Sequence, residues 1–392
     1  MAGSCLVETT SGDLQGTIEQ RLIPTNDETT LDSSFTSSCE VSAQQAEQNG
    51  SWLEVTGPAA TYLACADMIR QHKLSERPTA TQKQRTQRTS SATASSSNCS
   101  SSDSGSGALV DASSRAVVVS WLVEVAEEFG LQQESLHAAV ALLDRFLAGA
   151  AGVPRCVLQL VAVGCVFLAT KQLEVRPPSV EQLVAVAAHS FSAPDLLRVE
   201  RLLLDALEFR LAPPTPYGCL HLLTQATLAA MAMASTDQQQ QPCAHPAAAA
   251  AAAAAASCGP CPPMERVVSL AMYLTELALL DADCAALPGS TLATAALLLA
   301  HTTLAGHCGA WPLLLAAAGM SAQQAQPAVA ALARLHAAAA APGSGQLAEL
   351  LLPLKAKFGQ DCWCRVAAEV APLELQQQAA VQAPVQQQQH MW

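Results

Sequence analysis

Charge is scarce in this chain of 392 residues: Lys, Arg, Asp and Glu make up 14% of it, against about 25% in ordinary globular proteins. Basic residues are the scarcer kind, 20 against 33 acidic, for a formal net charge of −13. Binding to phosphate backbones or anionic lipid surfaces depends on clustered Lys and Arg, so neither nucleic acid nor membrane is expected as a partner. The single basic stretch, residues 83–88, is too short to reverse that balance. Aromatics are also few, at 4%. The apolar half is therefore mostly Ala, Leu and Val, which is helix-forming material. No Gly-rich phosphate loop, strand-period alternation or βαβ spacing occurs, and no cofactor is expected.

The N-terminus carries Glu8 and Asp13 where an export signal needs an uninterrupted apolar core, and an intracellular location is expected. The longest apolar tract, residues 292–315, is broken by His301, Thr302, Thr303, His307 and Pro312. It reads as a pair of buried helices and a poor membrane span. Fourteen cysteines are scattered without regular spacing; in a reducing compartment they serve as small hydrophobes and inert thiols. Cys258-Gly-Pro-Cys261 matches a redox dithiol frame. That chemistry needs the first thiol at a helix N-terminus after a strand, whereas here poly-Ala precedes and Pro262-Pro263 follow. Cys362 and Cys364 have no second pair at zinc spacing, so no metal site is expected.

Along the chain, residues 1–57 are rich in Ser, Thr, Gln and Glu and are expected to be disordered. Residues 58–113 hold one amphipathic helix, through Tyr62, Ala66, Ile69 and Leu74 and ending before Pro78, then a Ser-rich linker over 90–107. A first folded unit spans 114–211. Ser113 or Ser114 is expected to cap its first helix, which carries Val118, Trp121, Leu122, Val125 and Phe129 at helical spacing. A second helix follows Gln132. A third, 156–173, is apolar nearly all round and must lie at the centre of a bundle. Pro177 and Pro178 interrupt, and 195–209 is predicted to close the set as its fifth helix. A second unit, 212–375, repeats helical pieces at 217–233, 265–281, 290–305, 321–338 and 346–356. It is interrupted by a Gln/Ala-rich insertion at 235–263 and followed by a Gln-rich tail, 376–392. Lengthening a surface loop in this way costs only about 0.6 kcal/mol per doubling.

Four motifs stand out in the first unit: SRAVVVSWLVEV from Ser114, LLDRFL around Asp144, LATKQLE around Lys171, and VERLLLDALEFRLAPPTP around Glu200. In the second unit stand ERVVSLAMYLTELALLDADCAALPGSTLATAALLLA, LARLH and KFGQDCWCRVA. Together they resemble the cyclin family, mitotic type, closest to A-type members. The resemblance implies an all-α protein of tandem cyclin folds, two five-helix bundles, with a disordered N-terminal region and low-complexity insertions. It implies no enzymatic activity of its own. The implied partner is a cyclin-dependent Ser/Thr protein kinase, with substrates or inhibitors recruited through Arg-x-Leu motifs, in the nucleus and cytoplasm. A cyclin-fold adaptor or transcription-factor-like binding protein that activates no kinase is the alternative.

By the same resemblance, Lys171 and Glu200 hold the kinase's regulatory helix, with Leu168, Leu204, Phe209 and Leu211 as the apolar positions around them. Ser114, Val118, Trp121, Glu124, Leu158 and Gln159 line the substrate-docking groove. Arg115 and Asp144 form a structural ion pair between the first two helices; Asp144 lies about 40° round its helix from the core position Val140, which suits a half-buried partner. Read singly, Lys171 is a cation at a helix C-terminus and Glu200 a solvated charge between Arg198 and Arg201. The sequence departs from the family at Ser114, where Met is usual, and at Gln172 and Leu173, where an aromatic and an acid are usual. Weaker docking and altered pairing are the implied consequences. No destruction signal precedes the first unit.

Overall fold

The computed structural model describes residues 57–76, 109–150, 152–237, 263–305, 311–341 and 346–369. Nearly all of the segment expected to be disordered, the Ser-rich linker, residues 238–262 of the insertion with Cys258 and Cys261, and the Gln-rich tail lie outside them. Among the described residues every regular element is a helix, and the β contact present is an isolated antiparallel bridge between Leu109 and Pro154.

A leading helix, α1 (Pro58–Ser75), precedes two bundles. The first contains α2 (Ala112–Glu128), α3 (Gln133–Gly149), α4 (Leu158–Leu173), α5 (Val180–Val186) and α6 (Ala193–Ala206). The second contains α7 (Pro216–Asp237), α8 (Met264–Leu280), the single turn α9 (Ala282–Ala285), α10 (Gly289–Ala305), α11 (Trp311–Ala318) and α12 (Ala322–Ala340). A closing segment follows, with α13 (Gln346–Leu350), α14 (Leu352–Phe358) and two 3-10 turns.

The two bundles share one plan because their hydrophobic patterns share one plan. In each, the third long helix has no polar face: residues 161–170 of α4 and 292–301 of α10 are all buried. A helix apolar on every side is satisfied only when others surround it. α3 and α6 flank α4, and α7, α8 and α12 flank α10. By length and composition residues 155–173 could cross a bilayer, but here they are the core of the first bundle. The polyproline boundary works through Thr215, whose Oγ1 accepts from Gly218 N (3.0 Å) at the first turn of α7, with Pro216 in the adjoining first position.

Several helix ends differ from the sequence-based bounds. The third helix opens with a 3-10 turn, Arg155–Val157, before the α-helix starts at Leu158. α6 stops at Ala206, three residues early, because Glu208 and Phe209 take left-handed backbone angles (φ 54° and 55°). The piece at 346–356 is two helices broken at Leu351, with Pro353 in the opening turn of the second. α11 lies between the pieces expected at 290–305 and 321–338 and is the second half of the apolar pair expected within 292–315.

Helix α1 packs on the second bundle, against α7, α10 and α11, although it precedes the first in sequence. Its last turn supplies the reason. Lys73 Nζ donates to the Ala318 and Gly319 carbonyls (2.7 and 3.0 Å) at the C-terminal end of α11, while the Glu76 carboxylate accepts from Ser290 N and Oγ (2.7 and 2.6 Å) at the start of α10. Each charge meets the helix pole of opposite sign.

The closing segment returns to the junction between the bundles. Lys357, on α14, has its side chain 1% exposed and donates to Glu276 (2.9 and 3.1 Å) on α8 and to Gln133 (2.7 Å) on α3; Glu127 of α2 lies 3.2 Å away. Nearby, His137 is fully buried with neither ring nitrogen hydrogen-bonded, and burial, with the Lys357 charge second, pushes its pKa down to about 3.

Lys357→Met is expected to cost about 3–5 kcal/mol in urea unfolding, since Glu276 is left charged and buried; adding Glu276→Met should recover most of the loss. A double variant as unstable as the single would show that the pair is not the cause. The depressed His137 pKa gives a second expectation. Above its unfolded value near 6.5 the ring is neutral in both states, so it adds no pH dependence. Below it the unfolded chain takes a proton that the native chain refuses. Stability should therefore fall as pH drops from about 6.5 toward about 3, by at most about 1.4 kcal/mol per pH unit. His137→Leu should flatten that slope when urea midpoints at about pH 7.5 and about pH 5.5 are compared.

Candidate functional site

Arg115 lies one turn into α2 and is buried. Its Nε and Nη2 donate to the two Asp144 carboxylate oxygens of α3 (2.6 and 2.7 Å), and its Nη1 donates to the Leu279 carbonyl (2.8 Å). Leu279 belongs to the last turn of α8, where carbonyls have no partner within the helix. One guanidinium thus joins two helices of the first bundle to the second bundle, in the bidentate geometry that only Arg offers.

Lys171 and Glu200 stand on neighbouring helices, α4 and α6, and meet at 2.5 Å. Gly164 eases that meeting. A Cβ there would come within 2.8 Å of the Leu203 Cδ1 and 3.0 Å of the Val199 Cγ1, so a side chain at this place would push those methyls aside where α6 meets α4. The Lys171 ammonium also sits 3.6 Å above the Phe167 ring centroid. Its side chain remains 43% exposed, against 14% for Glu200. The pair lies at the surface with the Lys side open.

Around it the expected apolar residues divide. Leu168 is buried in the core, Leu204 and Leu211 are half-buried, and Phe209 is 68% exposed. Phe209 owes its position to the turn after α6, where Phe209 N donates to the Leu204 carbonyl (3.0 Å) and Arg210 N to that of Leu207 (3.0 Å). Left-handed angles at two successive non-glycine residues cost about 1–2 kcal/mol each, and persist only where surrounding contacts fix them. Gln172 is exposed and Leu173 half-buried. The acid that follows turns inward: Glu174 accepts from Gln132 N (2.8 Å) and Ser135 Oγ (2.5 Å), capping α3.

The third set lies along α2 and the start of α4. Asp111, not Ser113 or Ser114, is the N-cap of α2. Its carboxylate accepts from Ser114 N (2.8 Å), and Asp111 N donates to Ser114 Oγ (3.0 Å). The helix starts earlier than expected because Asp at this place satisfies two free amides reciprocally with a partner three residues on. The Ser114 amide and hydroxyl, with Arg155 paired to the same carboxylate, hold the Asp111 pKa below its ordinary value. Ser114 is thereby occupied. Val118 and Leu158 are buried, Trp121 and Gln159 half-buried, and Glu124 exposed.

Two contacts were not legible in the sequence: the Lys357–Glu276 pair and the Thr215 Oγ1 donation to Glu134 (2.6 Å) across the boundary. A Lys and a Glu 81 residues apart look like solvated charges; the one local signal is that Glu276 sits inside the apolar run of α8. Burial raises the Glu276 and Glu134 pKa values. Among the described residues no His, Cys, Asp or Glu side chains group as metal ligands, and burial pushes the Cys165 and Cys219 thiols well above the usual range.

Two family models match: "Cyclin, N-terminal domain" over residues 81–212 and "Cyclin, C-terminal domain" over residues 249–348. The chain is 39% identical over 202 residues to Cyclin-A2 of Homo sapiens, which covers 51% of this chain and 38% of that protein. It is 37% identical over 229 residues to Cyclin-A1 of Carassius auratus, covering 58% and 49%. The chain thus spans half or less of the length of these two relatives. Among solved structures, a viral cyclin from herpesvirus saimiri aligns with a TM-score of 0.42 at 18% identity, over 58% of this chain and 85% of that one.

Proposed function

Because the chain belongs to the cyclin family and resembles its A-type members, we propose that it is the regulatory subunit of a cyclin-dependent Ser/Thr protein kinase in the mitotic cell cycle. The observation that carries this reading is the Lys171–Glu200 pair between α4 and α6, open on its Lys side, with the exposed Phe209 ring in the turn that follows α6. An ammonium has three donors and a carboxylate only acceptors, so the pair can meet the carbonyls and amides that a partner's helix and the loop before it leave free. Phe209, with Leu204 and Leu211 beside it, offers apolar surface whose burial under a partner is worth about 1.5–3 kcal/mol for the ring alone. The kinase supplies the ATP site, the magnesium and every catalytic group. This chain's part is to hold the kinase's regulatory helix inward and leave its activation segment open.

Recruitment of Arg-x-Leu segments is the finer part of the proposal. Exposed Glu124 suits the Arg of such a peptide, and half-buried Trp121 the Leu. Val118 and Leu158 are already covered by the fold, and the Ser114 hydroxyl is held by Asp111. Docking at this groove is accordingly weaker than a Met at that place would give. A kinase-bound complex working in nucleus and cytoplasm fits the cell-cycle role. The alternative, an adaptor that folds as a cyclin without activating a kinase, draws on Gln172 and Leu173, which stand where the family has an aromatic and an acid.

Lys171→Ala combined with Glu200→Ala should lower activation of the copurifying kinase at least tenfold in a histone phosphorylation assay, the loss expected when charge-assisted contacts of about 1.5–3 kcal/mol are removed. Helix content by circular dichroism should not change. Full activation by the double variant would remove the site assignment. Trp121→Ala should weaken binding of an Arg-x-Leu peptide in a fluorescence titration while kinase binding is kept; unchanged peptide affinity would mean that recruitment does not use this groove.

A further inference from the structure

We infer that Arg145 is a positioning residue for the kinase-facing surface: from α3 it clamps the turn after α6 through the Arg210 carbonyl and so keeps Phe209 turned outward. This rests on the reading of that surface as the kinase contact.

The turn over residues 208–211 is poor in intrinsic reasons to exist. Glu208 and Phe209 are both left-handed without being glycine, and a ring 68% exposed contributes little packing of its own. The amides of Glu208, Phe209, Arg210 and Leu211 bond to carbonyls between Leu204 and Phe209, all within the same short stretch. Such local bonds alone leave the turn free to move as a unit. Leu211 packs against the core at the end of the turn, and the hydrogen bond from outside comes from Arg145, whose Nη1 donates to the Arg210 carbonyl across 65 residues of sequence. Its guanidinium is half-buried beside that of Arg210, and burial and the like charge both lower its pKa, with Glu208 partly offsetting them. The Glu208–Arg210 ion pair (3.0 Å) is exposed at both ends and does little to fix the turn.

Arg145 also follows Asp144 directly, and the two side chains serve different ends. Asp144 reaches Arg115 and through it the second bundle, whereas Arg145 reaches the turn. The last turns of α3 therefore carry both the bundle junction and the support of the exposed ring.

The test uses the full chain, the kinase that copurifies with it, and Arg145→Met, Arg145→Lys, Phe209→Ala and the Arg145→Met/Phe209→Ala double variant. Amide exchange at Phe209, Arg210 and Leu211 should rise about tenfold in Arg145→Met while that of Leu203, inside α6, stays protected. Kinase affinity should fall as far in Arg145→Met as in Phe209→Ala, and no further in the double variant. Arg145→Lys, which keeps a charged donor, should restore both readouts. Unchanged exchange in Arg145→Met, or losses that add in the double variant, would overturn the inference while the kinase surface stands. Unchanged affinity in Phe209→Ala would instead sink the surface reading, and the role of Arg145 with it.

Discussion

The Arg115 guanidinium is the point at which the two bundles become one object. It spends two donors on Asp144 and a third on the end of α8, so the pairing of α2 with α3 and the docking of the second bundle share one side chain. Lys357 repeats the device from the opposite direction, bringing the C-terminal segment back to Glu276, Gln133 and Glu127. Both junctions rely on buried charges, which are costly unless every polar atom finds a partner. A surface that must present separated residues to one partner gains from such a junction, because mismatched docking of the bundles would leave those charges unpaired.

The chain solves one packing problem twice. An all-apolar central helix in each bundle requires neighbours on every side, and the shorter amphipathic helices supply them. Where the bundles differ is at the first helix. α2 faces the closing segment and α8, whereas α7 is covered by α1, imported from upstream. On the first bundle, Lys171 and Glu200 meet at the surface between α4 and α6, with Lys171 the more exposed, and Phe209 stands exposed in the turn after α6.

Much of this was legible in the residues. The apolar runs of 156–173 and 290–305 foretold central helices, Pro177, Pro178 and Pro213 to Pro216 marked breaks, and the spacing of Val140 to Asp144 put the acid near a buried face. Helix ends were less legible, since they turn on single hydrogen bonds. Asp111 took the cap from Ser113 and Ser114 because it lies three residues before a hydroxyl. α6 ended early through backbone angles at Glu208 and Phe209 that no propensity announces. The charges at 73, 76 and 357 read as solvated, and Glu276 is marked only by its place in an apolar run, because their partners lie from 81 to 246 residues away.

The placement of α1 bears on how the molecule is made. Lys73 reaches carbonyls 245 and 246 residues downstream, so α1 leaves the ribosome long before the α11 end of its binding surface is synthesised. Until α7 emerges, the buried face of Tyr62, Cys65 and Ile69 has none of its covering helices to meet. Contacts this distant close slowly, and a nascent chain holding an uncovered apolar helix for that interval is a natural client for chaperones.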